Sequence, residues 1–418
     1  MIEHIKSSYK ALLKVFKENA YSTQALFSED MSNLSSRITL GVIEKNIYLE
    51  YILAQLVKKK PANNIYIILK IGTYMLLFLN KIPDYAIVNE CVNFVKSIKK
   101  SELAGFVNAI LNKVDRREFK LPKETDKDYL SVTYCKPQWF IDRMIKEFGE
   151  ESTLRVLKDQ TETFDLEHIR LDPRVDNEET LKKLTASGAV VRKTIVGGYV
   201  VKNNATVKQL FQKGNLTFQS PSSMVAVQGL NPTNGSNILD ICSAPGGKSV
   251  YMAQLCPDST IESCDLYEHR LKLVQFYSKR MKVTNIETKA MDATILNPDF
   301  VNKFDYILVD APCTCFGTFI KHPDVFMQHD ESSIDKLSEI QLSILQNAIQ
   351  YLKVGGHLVY STCTLFKKEN EEVVKKVLSS NIKLETMDIA IKNNGMIRIL
   401  PEKEWEGFFV AKLVKEGE

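Results

Sequence analysis

Past Gly214 the chain adopts a repeat that few folds can accommodate: a short apolar or β-branched run, a spacer long enough for a helix, then another run. Ile238-Leu239-Asp240-Ile241, Thr260-Ile261-Glu262-Ser263, Tyr306-Ile307-Leu308-Val309 and His357-Leu358-Val359-Tyr360 are such runs. Strands of this kind are buried on both faces, and the spacers supply the covering helices, so residues 214–418 are predicted to form an α/β domain with a mostly parallel sheet. Sheets of that type bind ligands beyond the carboxyl ends of their strands.

Ahead of this domain the pattern differs. From Ser7 to about Arg117 glycine and proline are scarce and apolar residues recur at helical spacing, as in Ile65, Ile68, Leu69, Gly72, Leu76 and Leu79, which predicts an all-α bundle over 1–125. Lys58-Lys59-Lys60-Pro61 and Lys81-Ile82-Pro83-Asp84 supply breaks, because proline has no amide hydrogen and disfavours helix in the residue before it. The longest apolar stretch, Ile65 to Leu79, contains Lys70 and is too short for a bilayer, so a buried amphipathic helix is expected there and no membrane partner. The charged stretch Arg116 to Tyr129 reads as a linker. Residues 126–213 mix a predicted helix, Gln138 to Phe148, with short runs such as Val190-Val191 and Tyr199-Val200-Val201, the mark of a small α+β module.

Hydrophobic residues at 44% and charged residues at 25% are ordinary for a soluble protein. The N-terminus lacks a secretory apolar core, and eight irregularly spaced cysteines suit a reducing compartment, so a cytoplasmic location is expected. The net charge of +4 is small, but up to Glu124 there are 19 Lys and Arg against 12 Asp and Glu, while the rest of the chain holds 36 against 39. The basic excess therefore sits in the first third. A polyanion-facing module and a solvated lysine-rich helical surface explain it equally well.

The first predicted strand runs into Cys242-Ser243-Ala244-Pro245-Gly246-Gly247-Lys248-Ser249. Two glycines allow close backbone approach, and a following helix offers free amide donors. A phosphate-binding loop would need glycine where Cys242 stands, and the glycine spacing of the dinucleotide fingerprint is absent, so a nucleoside without pyrophosphate fits better. Asp265 ends the second strand, where a carboxylate accepts ribose hydroxyls, and Asp292 ends the next, within reach of an adenine amino group. Three acidic strand ends, Asp265, Asp292 and Asp310, are expected on one edge. The fourth strand leads into Asp310-Ala311-Pro312-Cys313-Thr314-Cys315-Phe316-Gly317 and the fifth into Ser361-Thr362-Cys363-Thr364, so Cys313 and Cys363 should share that rim. Cys313 and Cys315 with His322 and His329 raise zinc, but no second close cysteine pair completes four ligands, and no metal is expected. Cys91, Cys256 and Cys264 read as buried structural thiols.

Asp-Ala-Pro-Cys at 310–313 with His322-Pro323-Asp324, and Ser-Thr-Cys-Thr at 361–364 with Glu369-Asn370-Glu371, resemble the RNA cytosine-5 methyltransferases. The loop from Cys242 to Lys248 is similar to that family's S-adenosylmethionine loop, and Gly395 to Pro401 with Glu406 to Phe409 resembles its last strands. In the first third, Lys81-Ile82-Pro83-Asp84-Tyr85-Ala86 with Val88-Asn89-Glu90, and Phe106 to Leu111, resemble a NusB-type RNA-binding bundle. The two joined are the arrangement of a bacterial family of 16S ribosomal RNA methyltransferases. Thr314-Cys315 stands where that family commonly has Ser-Gly, and a cysteine there should stiffen the loop; Ile169-Arg170-Leu171-Asp172 stands where asparagine more often closes the run.

The resemblance implies a Rossmann-like class I methyltransferase domain and transfer of a methyl group from S-adenosylmethionine to C5 of a cytosine in 16S ribosomal RNA. It implies Cys363 as nucleophile at C6, Cys313 in product release and Asp310 against the base edge. Donor contacts are expected from Cys242, Ser243, Ala244, Pro245, Gly246, Gly247, Lys248, Asp265, Arg270, Asp292 and Asp310, with Lys248 holding Asp310 or the methionine carboxylate. The base must leave its stack to meet both thiols, so a single-stranded or looped RNA is the expected partner, bound by a monomer. Two other readings stay open on the sequence: transfer RNA as substrate, and a non-catalytic RNA-binding factor that keeps the fold, against which the paired cysteines argue.

Overall fold

The computed structural model describes residues 2–417 except 19, 28, 30, 160–165, 403 and 404. The chain divides into two compact units, the first made of Met1–Lys158 and Lys321–Glu331, the second of Asp159–Ile320 and Ser332–Glu418. Residues 126–158 of the expected middle module therefore belong to the first unit and 166–213 to the second.

The first unit is helical. Its helices include Ile2–Glu18, Asn33–Glu44, Asn46–Leu56, Asn63–Phe78, Asp84–Ser97 and Ala104–Asp115, and the breaks fall at the two lysine-proline segments. Pro83 precedes the helix it starts, where its missing amide hydrogen costs nothing. Helix Asn63–Phe78 differs from expectation: residues Ile65 to Leu76 are all buried, so it has no polar face and forms the centre of the bundle. Lys70 survives there because its ammonium donates to Asn46 Oδ1 at 2.6 Å and Glu50 Oε1 at 2.7 Å and lies 4.4 Å from the centre of the Phe16 ring. Burial pulls the Lys70 ammonium below its usual range, against the opposing pull of Glu50. Among the described residues no helix is long and apolar enough to cross a membrane.

Between Asp115 and Tyr129 there is neither helix nor strand, as the charge density predicts. Helix Gln138–Phe148 forms where expected and packs within the first unit, Phe140 meeting Phe326 edge to face at 4.9 Å. Asp324 of the inserted segment is buried and its Oδ2 accepts from the Ser22 amide at 2.8 Å, while Gln328 Nε2 donates to the Ala20 carbonyl at 3.2 Å. The His322-Pro323-Asp324 motif thus belongs structurally to the helical unit.

The second unit carries two sheets. The smaller has the order β2-β3-β1-β4, antiparallel, from β1 (Leu166–Leu171), β2 (Val190–Lys193), β3 (Tyr199–Lys202) and β4 (Leu216–Phe218). The larger contains β5 (Asn237–Asp240), β6 (Thr260–Asp265), β7 (Ile286–Ala290), β8 (Phe304–Asp310), β9 (Leu352–Thr362), β10 (Ile382–Leu384), β11 (Met396–Ile399) and β12 (Phe408–Lys415). Its order is β10-β12-β9-β8-β5-β6-β7, with β11 on β12. Strands β7, β6, β5, β8 and β9 are parallel; β10, β11 and β12 join antiparallel. Adjacent residues along each central strand enter opposite cores: Leu239, Ile307 and Leu358 on one face, packed with Ile344, Leu345 and Ala348 of helix Glu331–Tyr351, and Ile238, Leu308 and Val359 on the other, packed with Val225 and Met252. That two-sided burial is why these runs lack polar alternation.

The chain leaves β5 outward to β6 and β7, then returns across β5 to β8 and β9. Order therefore reverses beside β5, and the crevice beyond its carboxyl end is the binding position the topology creates. In the first unit the tightest approach is at Gly41, where an added Cβ would lie 2.0 Å from the Tyr74 ring. Gly41→Ala should therefore destabilise the helical unit by about 1–3 kcal/mol through overpacking. Calorimetry should show a lower transition for that unit with the other unchanged, and an unaltered profile would contradict the packing described.

Candidate active site

Asp240 ends β5 and is fully buried. Its Oδ2 accepts from the Ser249 hydroxyl at 2.6 Å, which ties the strand end to helix Gly247–Leu255. Its Oδ1 and the nearby buried Ser243 Oγ have no partner among the described residues. Burial pushes the Asp240 carboxyl up to about 7, against the Ser249 hydrogen bond.

The loop between them turns on Gly246, whose φ of +110° and close packing exclude a side chain: an added Cβ would lie 2.8 Å from Val274 Cα. Helix Gly247–Leu255 begins with no side-chain cap, so its first amides remain available to a ligand. The Ser243 amide donates to the Cys264 carbonyl at 2.7 Å, and the Ala244 amide to Asp265 Oδ2 at 3.3 Å. Asp265 is buried at the end of β6; its Oδ1 also takes the Tyr267 amide at 3.2 Å and lies 3.3 Å from Arg270 Nη1. Arg270 reaches back to the Ala244 carbonyl at 3.2 Å, closing a ring around the loop. Asp292 lies just past β7, where its Oδ1 accepts from the Thr294 amide at 2.9 Å and hydroxyl at 2.6 Å. Uncapped amides, a backbone cradle that a Cβ would fill and two orphaned buried oxygens fit a nucleoside ligand better than an apolar one.

Asp310 ends β8, with Oδ1 accepting from the Ser361 hydroxyl at 2.8 Å and Oδ2 from Lys248 at 2.7 Å. Of the two partners open to Lys248, the structure has Asp310. Burial alone would lower the Lys248 ammonium, but Asp310 more than offsets it and the net shift is upward, so Lys248 is charged at neutral pH.

Strands β8 and β9 are adjacent and parallel, with Asp310 opposite Ser361, so the loops after them meet. Cys313 Sγ lies 3.3 Å from Cys363 Sγ and 4.0 Å from Cys315 Sγ. The loops are clamped by fully buried Glu369: Oε1 accepts from the Thr314 amide at 2.9 Å and Gln341 Nε2 at 3.0 Å, and Oε2 from the hydroxyls of Thr314 at 2.6 Å and Thr364 at 3.0 Å. Gly317 donates to the Cys363 carbonyl at 2.9 Å, with the Gly407 carbonyl 2.0 Å from where a Cβ would sit. Hydrogen bonding from Cys315 and Cys363, with burial, pushes the Cys313 thiol well up. The Cys363 thiol is lowered by Cys313 but raised more by Cys315 and burial, so it too ends well up.

Sequence reading brought the right strand ends together but gave no role to Glu369, Gln341, Ser361 or Ser249. One signal was present: the dipeptide Cys-Thr occurs in both loops, at 313–314 and 363–364, and these threonines are the pair that Glu369 joins.

The chain matches the family model described as 16S rRNA methyltransferase RsmB/F over residues 227–414, and the NusB family over 3–116. It is 30% identical to the probable ribosomal RNA small subunit methyltransferase B of Bacillus subtilis, covering 98% of each chain. It is also 30% identical to the ribosomal RNA small subunit methyltransferase B of Photorhabdus laumondii, over 91% of this chain and 90% of that one. Among solved structures it is similar to PH0851, at 25% identity and a TM-score of 0.86 over 99% of both chains.

Asp240 makes a test of the site's electrostatics. Its folded value is raised, so the stability tied to it is present below about pH 4 and is lost as pH rises through about 7. Asp240→Asn keeps an acceptor for Ser249 without that titration. Calorimetry of the protein without ligand should show the variant gaining on the wild type between about pH 4 and 7, by at most roughly 4 kcal/mol. A difference constant with pH would mean that Asp240 is charged throughout.

Proposed function

Because the chain belongs to the RsmB/F family of methyltransferases, with a NusB-family region ahead of the catalytic one, we propose that it methylates C5 of a cytosine in 16S ribosomal RNA through a covalent Cys363 adduct. The observation that carries this reading is the pair of thiols, Cys313 and Cys363, 3.3 Å apart beside the Lys248–Asp310 ion pair. S-adenosylmethionine is the methyl donor, and when bound it supplies an electrophilic methyl group and a sulfonium charge.

Gly246 and Gly247 would admit the donor, Ser243 and the first helix amides would bond its polar groups, and Asp265 and Asp292 would take its ribose and adenine. Cytosine C5 is a poor nucleophile, so Cys363 adds through sulfur to C6, and electron density moves onto C5, which takes the methyl group. Asp310, fixed by Lys248 and Ser361, faces the base edge, where a proton shared between its carboxyl group and N3 would offset the negative charge that develops there as C6 is attacked. A base then removes the C5 proton, and the C6–sulfur bond breaks to return Cys363 as thiolate. Cys313, the nearest thiol, assists this release. Burial and Cys315 hold the Cys363 thiol up in the free protein, so a sulfonium charge beside it would favour the thiolate.

The base has to leave its stack to reach these thiols, so single-stranded or looped RNA is the substrate form we favour. The helical unit supplies backbone contacts through exposed lysines such as Lys58, Lys59 and Lys60.

Cys363→Ala should abolish methyl transfer yet retain S-adenosylmethionine binding, whereas Cys313→Ala should accumulate enzyme covalently attached to methylated RNA on denaturing gels. Activity in the first variant, or only free protein in the second, would overturn the corresponding role. Replacing Lys58, Lys59 and Lys60 together by alanine should lower the slope of log affinity against log salt by up to about 2, at about 0.7 for each single-strand phosphate no longer neutralised. An unchanged slope in a filter-binding titration would remove those lysines from the RNA-binding surface.

A further inference from the structure

We propose that Cys313, Cys315 and Cys363 form a three-thiolate site for a soft divalent cation of the zinc or cadmium kind, and that its occupancy blocks the reaction at this rim. The binding itself stands apart from the proposed function; the block rests on Cys363 being the nucleophile.

The three sulfur atoms all lie within 4.8 Å of one another, with two separations of 3.3 and 4.0 Å. Metal–sulfur bonds of about 2.3 Å require sulfur separations of roughly 3.8 Å in tetrahedral and 4.0 Å in trigonal geometry. The Cys313–Cys363 pair would have to open by about half an ångström, and the Cys315–Cys363 separation, which is within 4.8 Å, to close by at most about one, to complete the set. The sequence counted against zinc because the pair Cys313 and Cys315 lacked company; the fold brings the third thiol from the end of β9.

The site is held in advance of any ligand. Thr314, between two of the cysteines, is fixed by Glu369, and Thr364, next to the third, is bonded to the same carboxylate. The Cys315 carbonyl accepts from the Thr318 amide at 2.9 Å. Cys315 has a φ of +57°, a left-handed backbone that is unfavourable for a residue with a Cβ. Glycine would relieve that strain, so this chain keeps an unfavourable conformation and gains a thiol within reach of the other two.

Three thiolates select thiophilic cations over magnesium or calcium. Cys315 and Cys363 are half-buried rather than sealed, which leaves a route for the ion and a position for water as fourth ligand. Binding breaks three S–H bonds, forms three metal–sulfur bonds and releases three protons, so no oxidant is involved and affinity falls as pH falls. The resulting complex carries one net negative charge, which the Lys248 ammonium, already paired with Asp310, faces across the rim.

The test uses the full chain, reduced with a phosphine and freed of metal, titrated with Cd(II) and with Zn(II) in the absence of RNA and methyl donor. Thiolate-to-cadmium charge-transfer absorption should saturate at one equivalent with an intensity for three thiolates. Cys315→Gly and Cys315→Ser, each checked to melt no lower than the wild type, should both weaken binding at least about tenfold in competition with a chromophoric chelator, while Cys91→Ala should not. The serine variant keeps the side-chain volume and backbone demand, so agreement between the two separates lost ligation from altered loop geometry. Wild-type affinity in both variants, saturation with two thiolates, or loss of free thiols to a Cys313–Cys363 disulfide in place of metal would each overturn the proposal. Because catalysis is not read, failure here would leave the methyl-transfer mechanism untouched.

Discussion

The Glu369 carboxylate takes four hydrogen bonds inside the core, two from Thr314, one from Thr364 and one from Gln341. Burial raises it above the usual carboxylate range, in opposition to those donors. An acceptor with no solvent must be supplied with donors or it destabilises the fold by a few kcal/mol, and the same holds in reverse for the threonine groups. This mutual dependence fixes the two loops after β8 and β9 in one register. The closeness of Cys313 to Cys363, the course of the backbone to Gly317 and the position of Thr364 all follow from it. Neither loop has regular structure of its own, so without the clamp the thiols would depend on the strand ends alone.

The same division of labour appears at the other end of the rim. Asp265 is engaged by two backbone amides and Arg270, and Asp240 by Ser249, so each carboxylate first shapes protein before it can meet a ligand. Asp292 shows this most clearly: one oxygen is used in a turn with Thr294, the ordinary employment of an aspartate beyond a strand. The acidic residues thus act as local joints, and Asp240 keeps one buried oxygen without a partner among the described residues.

Much of this was legible in the sequence because it is local. Strand positions follow from uninterrupted apolar runs, the loop after β5 from its glycines, the breaks in the bundle from Pro61 and Pro83, and helix Gln138–Phe148 from its periodicity. What escaped is pairing across distance. Nothing near Glu369 announces that its donors lie 55 residues earlier at Thr314, or that Gln341 of an intervening helix completes the set. The central bundle helix was misjudged as amphipathic since Lys70 looks like a polar face until Asn46 and Glu50 are seen around its ammonium. The raised thiols of Cys313 and Cys363 are also a tertiary property, set by each other, Cys315 and burial rather than by neighbours in the chain.

The inserted segment Lys321–Glu331 has a consequence in time. The helical unit contains Met1–Lys158, yet Asp324 and Gln328 bond the backbone of Ser22 and Ala20, and Phe326 packs on Phe140. During synthesis at about 5–20 residues per second, the bundle must wait for most of the parallel sheet to be made before its last pieces arrive. An N-terminal unit that would ordinarily be complete first thus lacks its last segment until the loop carrying Cys313 has been made. Completion of the helical unit is thereby timed to the emergence of the strand ends that carry Asp310 and Cys313.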